Sequence, residues 1–339
     1  MDIDIEGGTG SGSTRSTSQR ARWAQVRLEQ ETHRAPGRSW RIRRLQFLRQ
    51  LFELADRALR LRLMQPLTAS AYRPQLTQFD VSLPNLPRAF DGYRILHLSD
   101  THFDRLPGLE HVLVEMIQTL PLDLAVFTGD YQDRRLRPGA KRESKILQPM
   151  RTVCAAIHAR DGILATLGNH DSVHLVEPFE AMGLKVLCNE TRQIRRGDQA
   201  VHITGIDDVH RYYTPMAREA LRADRPGFKI ALVHSADLYE EAANNGYALQ
   251  LSGHTHGGQI CLPGGVPLYT NLRAGRRFAS GMWQHNQLIG ITNRGAGTAG
   301  LRLRLFCPGE VLVITLRRGS SAFVTDEPRS SFSPNSLPG

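Results

Sequence analysis

The sequence contains no apolar run of 18 residues, about the shortest length that crosses a bilayer as a helix. It also lacks a secretory signal, because the acidic start from Met1 to Glu6 is not followed by an apolar stretch. We therefore expect a cytoplasmic protein that is not integral to a membrane. A peripheral position at the inner face of the cell membrane stays open.

Cysteine is scarce, and none of the four cysteines belongs to a Cys-x-x-Cys pair. Isolated cysteines are typical of reduced, buried thiols in a reducing compartment, and they argue against a disulfide framework. We expect all four to pack in the core: Cys154, Cys188, Cys261 and Cys307.

Acidic residues are outnumbered in one segment of the chain. Residues 15–73 contain 14 arginines but only four acidic residues, so this segment carries the whole formal charge of +10. The remaining residues sum to a net charge of zero. A basic block of this kind favours polyanions, either acidic lipid surfaces or nucleic acid.

The N-terminal region divides into two parts. Residues 1–37 begin with a stretch rich in Gly, Ser and Thr and predict a disordered basic tail. Residues 38–66 predict a basic amphipathic helix, with an apolar stripe that includes Leu45, Leu48 and Phe52. Such a helix can lie in a bilayer interface, which makes an anionic membrane a candidate partner for residues 38–64. It can equally dock on the folded part of its own chain, and both interpretations stay open.

Residues 74–318 predict one α/β domain, and residues 319–339, rich in Ser and Pro, predict a disordered tail. Short apolar runs alternate with helical stretches at about 109–119 and 145–159. The strands are too many for one doubly wound sheet, so we expect two sheets packed face to face and flanked by helices. The predicted strands are 78–81, 94–99, 124–128, 163–167, 186–189, 200–206, 229–234, 249–252, 288–293 and 311–316.

Metal-binding and acid–base side chains recur where five of these strands end. The carboxyl ends of strands are where sites form in open α/β sheets. One Asp-x-His or Gly-Asp alone is usually a surface turn, but five such strand ends predict a shared site. The residues are, in chain order, Asp100 and His102, Asp130, the Gly-Asn-His-Asp run 168–171, His234, and the Gly-His-Thr-His run 253–256.

A mixed set of oxygen and nitrogen ligands suits divalent ions such as Mn, Fe, Zn or Co. A carboxylate can bridge two cations, and two cations about 3.5–4 Å apart can polarise a phosphoryl group and activate a water molecule. The pattern therefore predicts a metal-dependent phosphoester hydrolase. Other histidines are expected to be structural or exposed: His97 inside a strand, and His158, His174, His202, His210 and His285 outside any motif.

The order Asp-x-His, Gly-Asp, Gly-Asn-His-Asp, His, Gly-His-x-His over residues 93–317 resembles the calcineurin-like metallophosphoesterase superfamily. The run Leu-Ser-Gly-His-Thr-His-Gly-Gly-Gln-Ile at 251–260 is similar to a bacterial branch of YkuE-type and YaeI-type phosphoesterases. The resemblance implies a four-layer α-β-β-α sandwich of two mixed sheets flanked by helices. It also implies two divalent metal ions as cofactors.

The resemblance further implies a role for each site residue. Asp100, His102 and His256 would hold the first cation, and Asn169, His234 and His254 the second. Asp130 would bridge both cations. His170 would lie near the substrate phosphate as a catalytic residue, and Asp171 would orient His170.

The function that the resemblance implies is hydrolysis of a phosphomonoester or a phosphodiester. Together with the basic helix, it suggests a lipid-linked substrate at the membrane surface, of phospholipid or UDP-diacylglucosamine type. A catalytically silent scaffold of the same fold and a nuclease are the alternatives. The complete ligand set argues against a scaffold, and we expect no specific nucleic-acid partner because no nucleic-acid-binding motif is present. The sequence does not indicate an oligomeric state.

Overall fold

The structure, a computed structural model, describes residues 11–32, 68–133, 144–212, 214–223 and 225–319. The predicted amphipathic helix at 38–66 and the predicted tail beyond Gly319 lie outside the described residues. No helix among the described residues combines the length and the apolar character needed to cross a bilayer.

The described residues contain six α-helices and fourteen strands. The helices are α1 Ser11–Thr32, α2 Leu109–Ile117, α3 Ser144–Ala155, α4 Val176–Ala181, α5 Pro215–Arg222 and α6 Tyr239–Asn244. The strands are β1 Gln75–Leu83, β2 Arg94–Leu98, β3 Leu124–Phe127, β4 Ile163–Ala165, β5 Leu184–Val186, β6 Glu190–Arg196, β7 Gln199–Ile206, β8 Phe228–Val233, β9 Leu249–Ser252, β10 Cys261–Leu262, β11 Val266–Pro267, β12 Gly281–His285, β13 Leu288–Thr292 and β14 Glu310–Arg318.

Two mixed six-stranded sheets form the centre of the domain. The first sheet has the order β1-β14-β2-β3-β4-β5, in which β2 to β5 are parallel and β14 runs antiparallel to β2. The second sheet has the order β12-β13-β9-β8-β7-β6, with parallel strands from β13 to β7 and antiparallel strands at both edges. The strands β10 and β11 form a separate hairpin.

Successive side chains of the central strands point to opposite faces of each sheet, and this creates three apolar layers. In β2, Ile95 faces a core between the two sheets, whereas Leu96 and Leu98 face the outer helices. The helices α2 and α3 cover the outer face of the first sheet, with Leu113 of α2 in that core. The helices α5 and α6 cover the second sheet. Strands that are buried on both faces require a covering layer on each side of the sheet. The arrangement confirms the expected four-layer sandwich.

Within the expected disordered tail, residues Ser11–Thr32 instead form the helix α1. Among its described side chains only Trp23 and Arg27 are buried. The helix therefore has the polar composition that is typical of a solvated, disordered segment. The indole Nε1 of Trp23 donates a hydrogen bond to Asp207 Oδ2 at 2.7 Å, and Arg27 forms a buried ion pair with the same carboxylate. These two contacts with distant parts of the chain hold α1 on the domain, which composition alone does not reveal.

Candidate metal centre

Loops from both sheets meet at one end of the sandwich. The strands β2, β3 and β4 are neighbours in the first sheet, and β8 and β9 are neighbours in the second. Because these strands are parallel, their carboxyl ends lie together, and the polar residues that follow them converge. Two compact groups of side chains result, and each group contains three residues that could hold a metal ion.

The first group consists of Asp100, His102 and His256, all buried. The Nε2 atoms of the two histidines lie 3.2 Å apart, and Asp100 Oδ1 lies 3.4 Å from His256 Nε2. Asp100 Oδ1 is buried and has no hydrogen-bond partner. Three donor atoms that face the same small space, one of them without a hydrogen bond, are what a cation site requires.

The second group consists of Asp130, His234 and His254, also buried. His234 Nε2 lies 3.2 Å from His254 Nδ1 and 3.1 Å from Asn169 Oδ1. The amide oxygen of Asn169 therefore lies beside this group.

Asp130 lies between the two groups. Its Oδ2 is 3.2 Å from His234 Nε2 in the second group and 3.9 Å from His102 Nε2 in the first. A single carboxylate is thus within reach of both sets of donor atoms. This placement is the one expected of a bridging ligand.

Outer hydrogen bonds orient two of the imidazoles toward the space between the donors. His234 Nδ1 lies 2.7 Å from the Thr128 carbonyl oxygen, and His254 Nε2 lies 3.1 Å from that of Asn271. Because a carbonyl oxygen only accepts, His234 Nδ1 donates to Thr128 and turns the Nε2 atom of its ring toward the group. The amide nitrogen of Asn271 lies 3.1 Å from His254 Nε2 as well, so two polar atoms of Asn271 hold the His254 ring. Metal-ligating histidines are commonly held in this way, so the donors present fit divalent cations.

The backbone is strained at the same positions. Positive φ angles are uncommon for residues other than glycine, and such strain clusters at functional sites. Among the described residues that are not glycine, five of the nine with positive φ belong to the two groups: Asp100, His102, Asp130, His254 and His256.

Two motif glycines allow the loops to pack this closely. A Cβ atom on Gly168 would overlap Asp130 Oδ1, and one on Gly253 would overlap Asp100 Oδ2. Any larger residue would displace a carboxylate from its group. The Gly of each motif is therefore required by close approach and not by turn geometry alone.

Burial and neighbouring charges shift the pKa values of histidines in both groups. Burial disfavours the charged form of His234, but the carboxylates of Asp130 and Asp100 outweigh it and raise its pKa to about 10. For His254 and His256, burial together with neighbouring positive groups lowers the pKa well below the usual range of histidine. Both rings are therefore neutral at pH 7, which is the form that binds metal.

His170 lies beside the metal-binding groups, partly exposed. Its backbone N–H donates to Asp130 Oδ1 at 2.9 Å, and its ring Nδ1 donates to the Asp133 carbonyl at 2.5 Å. The rings of His170 and His102 are 5.5 Å apart and perpendicular. His170 therefore lies next to a residue of each group.

The expected role of Asp171 needs a correction. Its carboxylate accepts hydrogen bonds from the backbone N–H groups of Asp130, Tyr131 and Gly168, at 2.7, 2.9 and 2.7 Å. The ring of His170 is instead bonded to Asp133. Asp171 therefore ties the loop after β4 to the loop after β3 and positions the backbone of Asp130.

Several residues of the site were not foreseen. His210 stacks on His254 with ring centroids 4.3 Å apart, and its Nε2 lies 3.3 Å from Asp237 Oδ2. Arg304 is fully buried and donates to the carbonyl oxygens of Gly295 and Gly297 beside the first group. His210 follows β7 by four residues but belongs to no Gly-Asp or Gly-His motif, and Arg304 lies in the long segment between β13 and β14, so no recognised motif marks either residue. His97 is a buried core histidine bonded to Thr128, as expected.

The sequence profile of calcineurin-like phosphoesterases matches residues 93–258, which include every residue of the two groups. The metallophosphoesterase YkuE of Bacillus subtilis is 30% identical over 252 residues, which cover 72% of this chain and 85% of that protein. The chain belongs to the calcineurin-like phosphoesterase family. As a member of this family it is a metal-dependent phosphoric ester hydrolase, and the resemblance seen in the sequence is confirmed.

Two further relatives lie in the same bacterial branch of the phosphoesterase family. YkoQ of Bacillus subtilis is 28% identical over 225 residues, covering 64% of this chain and 81% of that protein. The phosphodiesterase YaeI of Escherichia coli is 28% identical over 236 residues, covering 66% of this chain and 82% of that protein.

Proposed function

We propose that this phosphoesterase works with two divalent cations and hydrolyses a phosphomonoester or a phosphodiester. One observation carries the proposal: Asp130 Oδ2 lies within 4 Å of a histidine nitrogen of each metal-binding group. A carboxylate so placed supports two cations that share one ligand rather than two independent sites. The diesterase name of the relative YaeI makes a phosphodiester the first substrate class to test.

The roles of the residues follow from their positions. Asp100, His102 and His256 would hold one cation, and Asn169, His234 and His254 would hold the other, with Asp130 shared. When bound, the cations would polarise the phosphoryl group and lower the pKa of a water molecule.

His170 would act on the substrate itself. Its ring stands at the edge of the first group, and its Nδ1–H is fixed by the Asp133 carbonyl. The Nε2 atom of the protonated ring can then donate a hydrogen bond to a phosphoryl oxygen or a proton to the leaving group.

The decisive experiment is the substitution Asp130→Asn. We expect it to abolish hydrolysis of bis-p-nitrophenyl phosphate and to lower the bound metal, measured by elemental analysis, because both cations lose their shared carboxylate. The exposed Asp198→Asn variant is the matched control and should behave as wild type. Full activity in Asp130→Asn would refute the assignment, and a wild-type protein without metal or turnover would favour the scaffold alternative.

The lipid-linked substrate expected from the sequence is tested separately. An activity screen with manganese should compare mononucleotides, cyclic nucleotides, phospholipids and nucleotide-linked lipids. Turnover confined to the lipid substrates would support that expectation. A strongly salt-dependent affinity for DNA would instead support the nuclease alternative.

A further inference from the structure

Large exposed apolar side chains are concentrated in one place. Of the seven that the described residues contain, six form a single surface, with exposed fractions between 39% and 71%. We call it the hairpin surface: Leu262, Val266, Leu268, Tyr269, Leu305 and Phe306. Contiguous exposed apolar residues of this kind mark interaction sites on proteins that are otherwise polar outside.

The backbone shows that these residues adjoin one another. The strands β10 and β11 pair antiparallel, which brings Leu262 opposite Val266. The N–H of Cys261 donates to the Leu305 carbonyl at 2.9 Å, so the segment with Leu305 and Phe306 lies alongside the hairpin. The six side chains are therefore one patch rather than scattered exposures.

The hairpin surface borders the metal centre. The strand β10 begins five residues after His256, and the N–H of Leu305 donates to the Gln259 carbonyl at 3.0 Å. On the other side, the Tyr269 hydroxyl lies 3.4 Å from Asn271 Oδ1, and the Asn271 carbonyl holds the His254 ring. A molecule seated on this surface would reach the metal-binding groups directly.

The stretch of chain that carries the surface has charged residues of one sign. Between Glu241 and Glu310 the chain has six arginines and no acidic residue. Three of these arginines, Arg273, Arg276 and Arg277, are exposed and follow the hairpin closely in the chain. An apolar patch with basic neighbours is complementary to the interface of an anionic bilayer, where apolar side chains enter the acyl boundary and arginines meet the headgroups.

The described chain resumes at residue 68, after the basic segment 33–67, and residues 68–73 lie next to the same surface. Ser70 donates to the Arg304 carbonyl at 2.7 Å, and Ser70, Arg73 and Phe306 line one cavity of about 440 Å³. Residues 38–64 are strongly basic in sequence. This segment and the arginines near the hairpin are both positively charged, so they repel each other. A negatively charged layer is therefore a better electrostatic partner for each of them than the other is.

We infer that the hairpin surface docks on an anionic lipid bilayer. Docking there would bring the mouth of the metal centre to phosphate esters carried by lipids, and this second step rests on the proposed function. The bilayer contact itself depends only on the surface.

The first test is co-sedimentation of the full chain with vesicles of equal parts phosphatidylcholine and phosphatidylglycerol. The variant Leu268→Ser/Phe306→Ser should partition about tenfold more weakly, because two half-exposed apolar side chains no longer enter the interface. The matched control is Leu28→Ser, which changes the one large exposed apolar residue of the described chain outside the hairpin surface. It should bind as wild type. Equal partition of all three proteins would overturn the proposal, provided that their melting temperatures agree.

A second test separates the hairpin from residues 38–64, which carry their own predicted affinity for lipid. In a Trp40→Phe background, needed because Trp40 lies within residues 38–64, the added indole fluorescence of Leu268→Trp should be quenched by brominated phosphatidylglycerol, whereas that of Leu28→Trp should not. Vesicle binding without quenching at position 268 would assign the contact to another part of the chain and overturn the proposal. An emission from position 268 that is already blue-shifted without vesicles would do the same, because the surface would then be covered by protein.

The two proposals fail in different ways. Hydrolysis of bis-p-nitrophenyl phosphate without lipid tests the metal centre alone. A protein that hydrolyses this ester but shows no quenching at position 268 keeps the proposed function and loses the docking surface. A protein that is quenched at position 268 but hydrolyses no ester keeps the docking surface and loses the proposed function.

Discussion

His170 differs from the histidines of the two metal-binding groups by its partial exposure. Its ring is fixed at Nδ1 by the Asp133 carbonyl, and the backbone N–H binds the shared carboxylate of Asp130. These contacts orient the ring without using it as part of either metal-binding group. A side chain so placed can act on substrate while the cations stay bound.

We expect His170→Ala to lower kcat for bis-p-nitrophenyl phosphate by about 10²–10⁴-fold, because the proton donor at the phosphoryl group is lost. The metal content should stay at the wild-type level. Steady-state kinetics and elemental analysis of the same sample measure both quantities.

The control for this substitution is His111→Ala, since the side chain of His111 is 74% exposed and lies outside the centre. It should leave kcat unchanged. Loss of metal from His170→Ala would show that His170 is a ligand and would contradict its proposed action on the substrate.

Most residues of the centre could be predicted because each closely follows a buried strand. The apolar runs mark where the strands end, and topology then brings Asp100, Asp130 and Asn169 together. Asp171 was misjudged because its partners lie on a different loop, 40 residues away in the chain. His210 was missed for the same reason: its stacking partner His254 comes from another strand end.

At the scale of elements, α1 contacts the loop that carries Asn169 and His170. Arg27 donates to the carbonyl oxygens of Gly168 and Asp171 at 3.2 and 2.8 Å. Glu31, one turn further, accepts hydrogen bonds from the Ser172 hydroxyl and the Val173 N–H. The helix therefore supports this loop through both Arg27 and Glu31.

We expect Arg27→Ala to lower the free energy of unfolding by about 3–5 kcal/mol, because it leaves the buried carboxylate of Asp207 without its ion pair. Urea denaturation measures this loss. Hydrogen exchange of residues 168–173 should also become faster, because their carbonyl contacts with α1 are removed.

The matched control is Arg22→Ala, on an exposed position of the same helix. Its unfolding midpoint should equal that of wild type. If Arg27→Ala also unfolds at the wild-type midpoint, the buried ion pair of α1 does not stabilise the domain.

The docked position of α1 could not have been predicted from its sequence. An arginine is usually exposed, and Arg27 is buried only because Asp207 and two carbonyl oxygens surround it. The central strands were easier, since β2, β3 and β8 are mostly apolar. The strands β6, β10, β11 and β12 were missed, because they are edge or hairpin strands that are short or largely polar.

Considered as a whole, the sandwich has an ionic connection between its two sheets. Arg196 of β6, in the second sheet, binds Asp161, which precedes β4 in the first sheet. The Tyr93 hydroxyl, just before β2, donates to the same carboxylate at 2.6 Å. Burial alone would raise the pKa of Asp161, but the hydrogen bonds from Arg196 and Tyr93 outweigh it and lower this pKa.

We expect Asp161→Asn to lower the free energy of unfolding by about 1–2 kcal/mol at pH 7. Because the folded-state pKa lies below the unfolded value, this stabilisation is fully present above about pH 4 and is lost as the pH falls through the lowered pKa. Urea denaturation at pH 7 and at pH 3 should therefore show a smaller difference between wild type and variant at pH 3 than at pH 7. A difference that grows toward low pH would contradict a lowered pKa for Asp161.

Metal binding should stabilise the whole domain, because the two groups form only when both sheets are folded. At manganese concentrations of about 100 Kd the gain is about 2.7 kcal/mol, which raises the melting temperature by about 5–10 °C for a domain of this size. Thermal unfolding with manganese and with EDTA measures the shift. Asp130→Asn is the control and should show almost none, whereas an unchanged wild-type melting temperature would argue against binding by the folded state.

The contact between Arg27 and Asp207 also affects how the protein is made. These partners are separated by 180 residues of chain. At a synthesis rate of roughly 5–20 residues per second, about 10–40 s pass between their additions to the growing polypeptide. The helix α1 is synthesised well before Asp207 and can dock only after it, and until then the loop with Asn169 and His170 lacks its support.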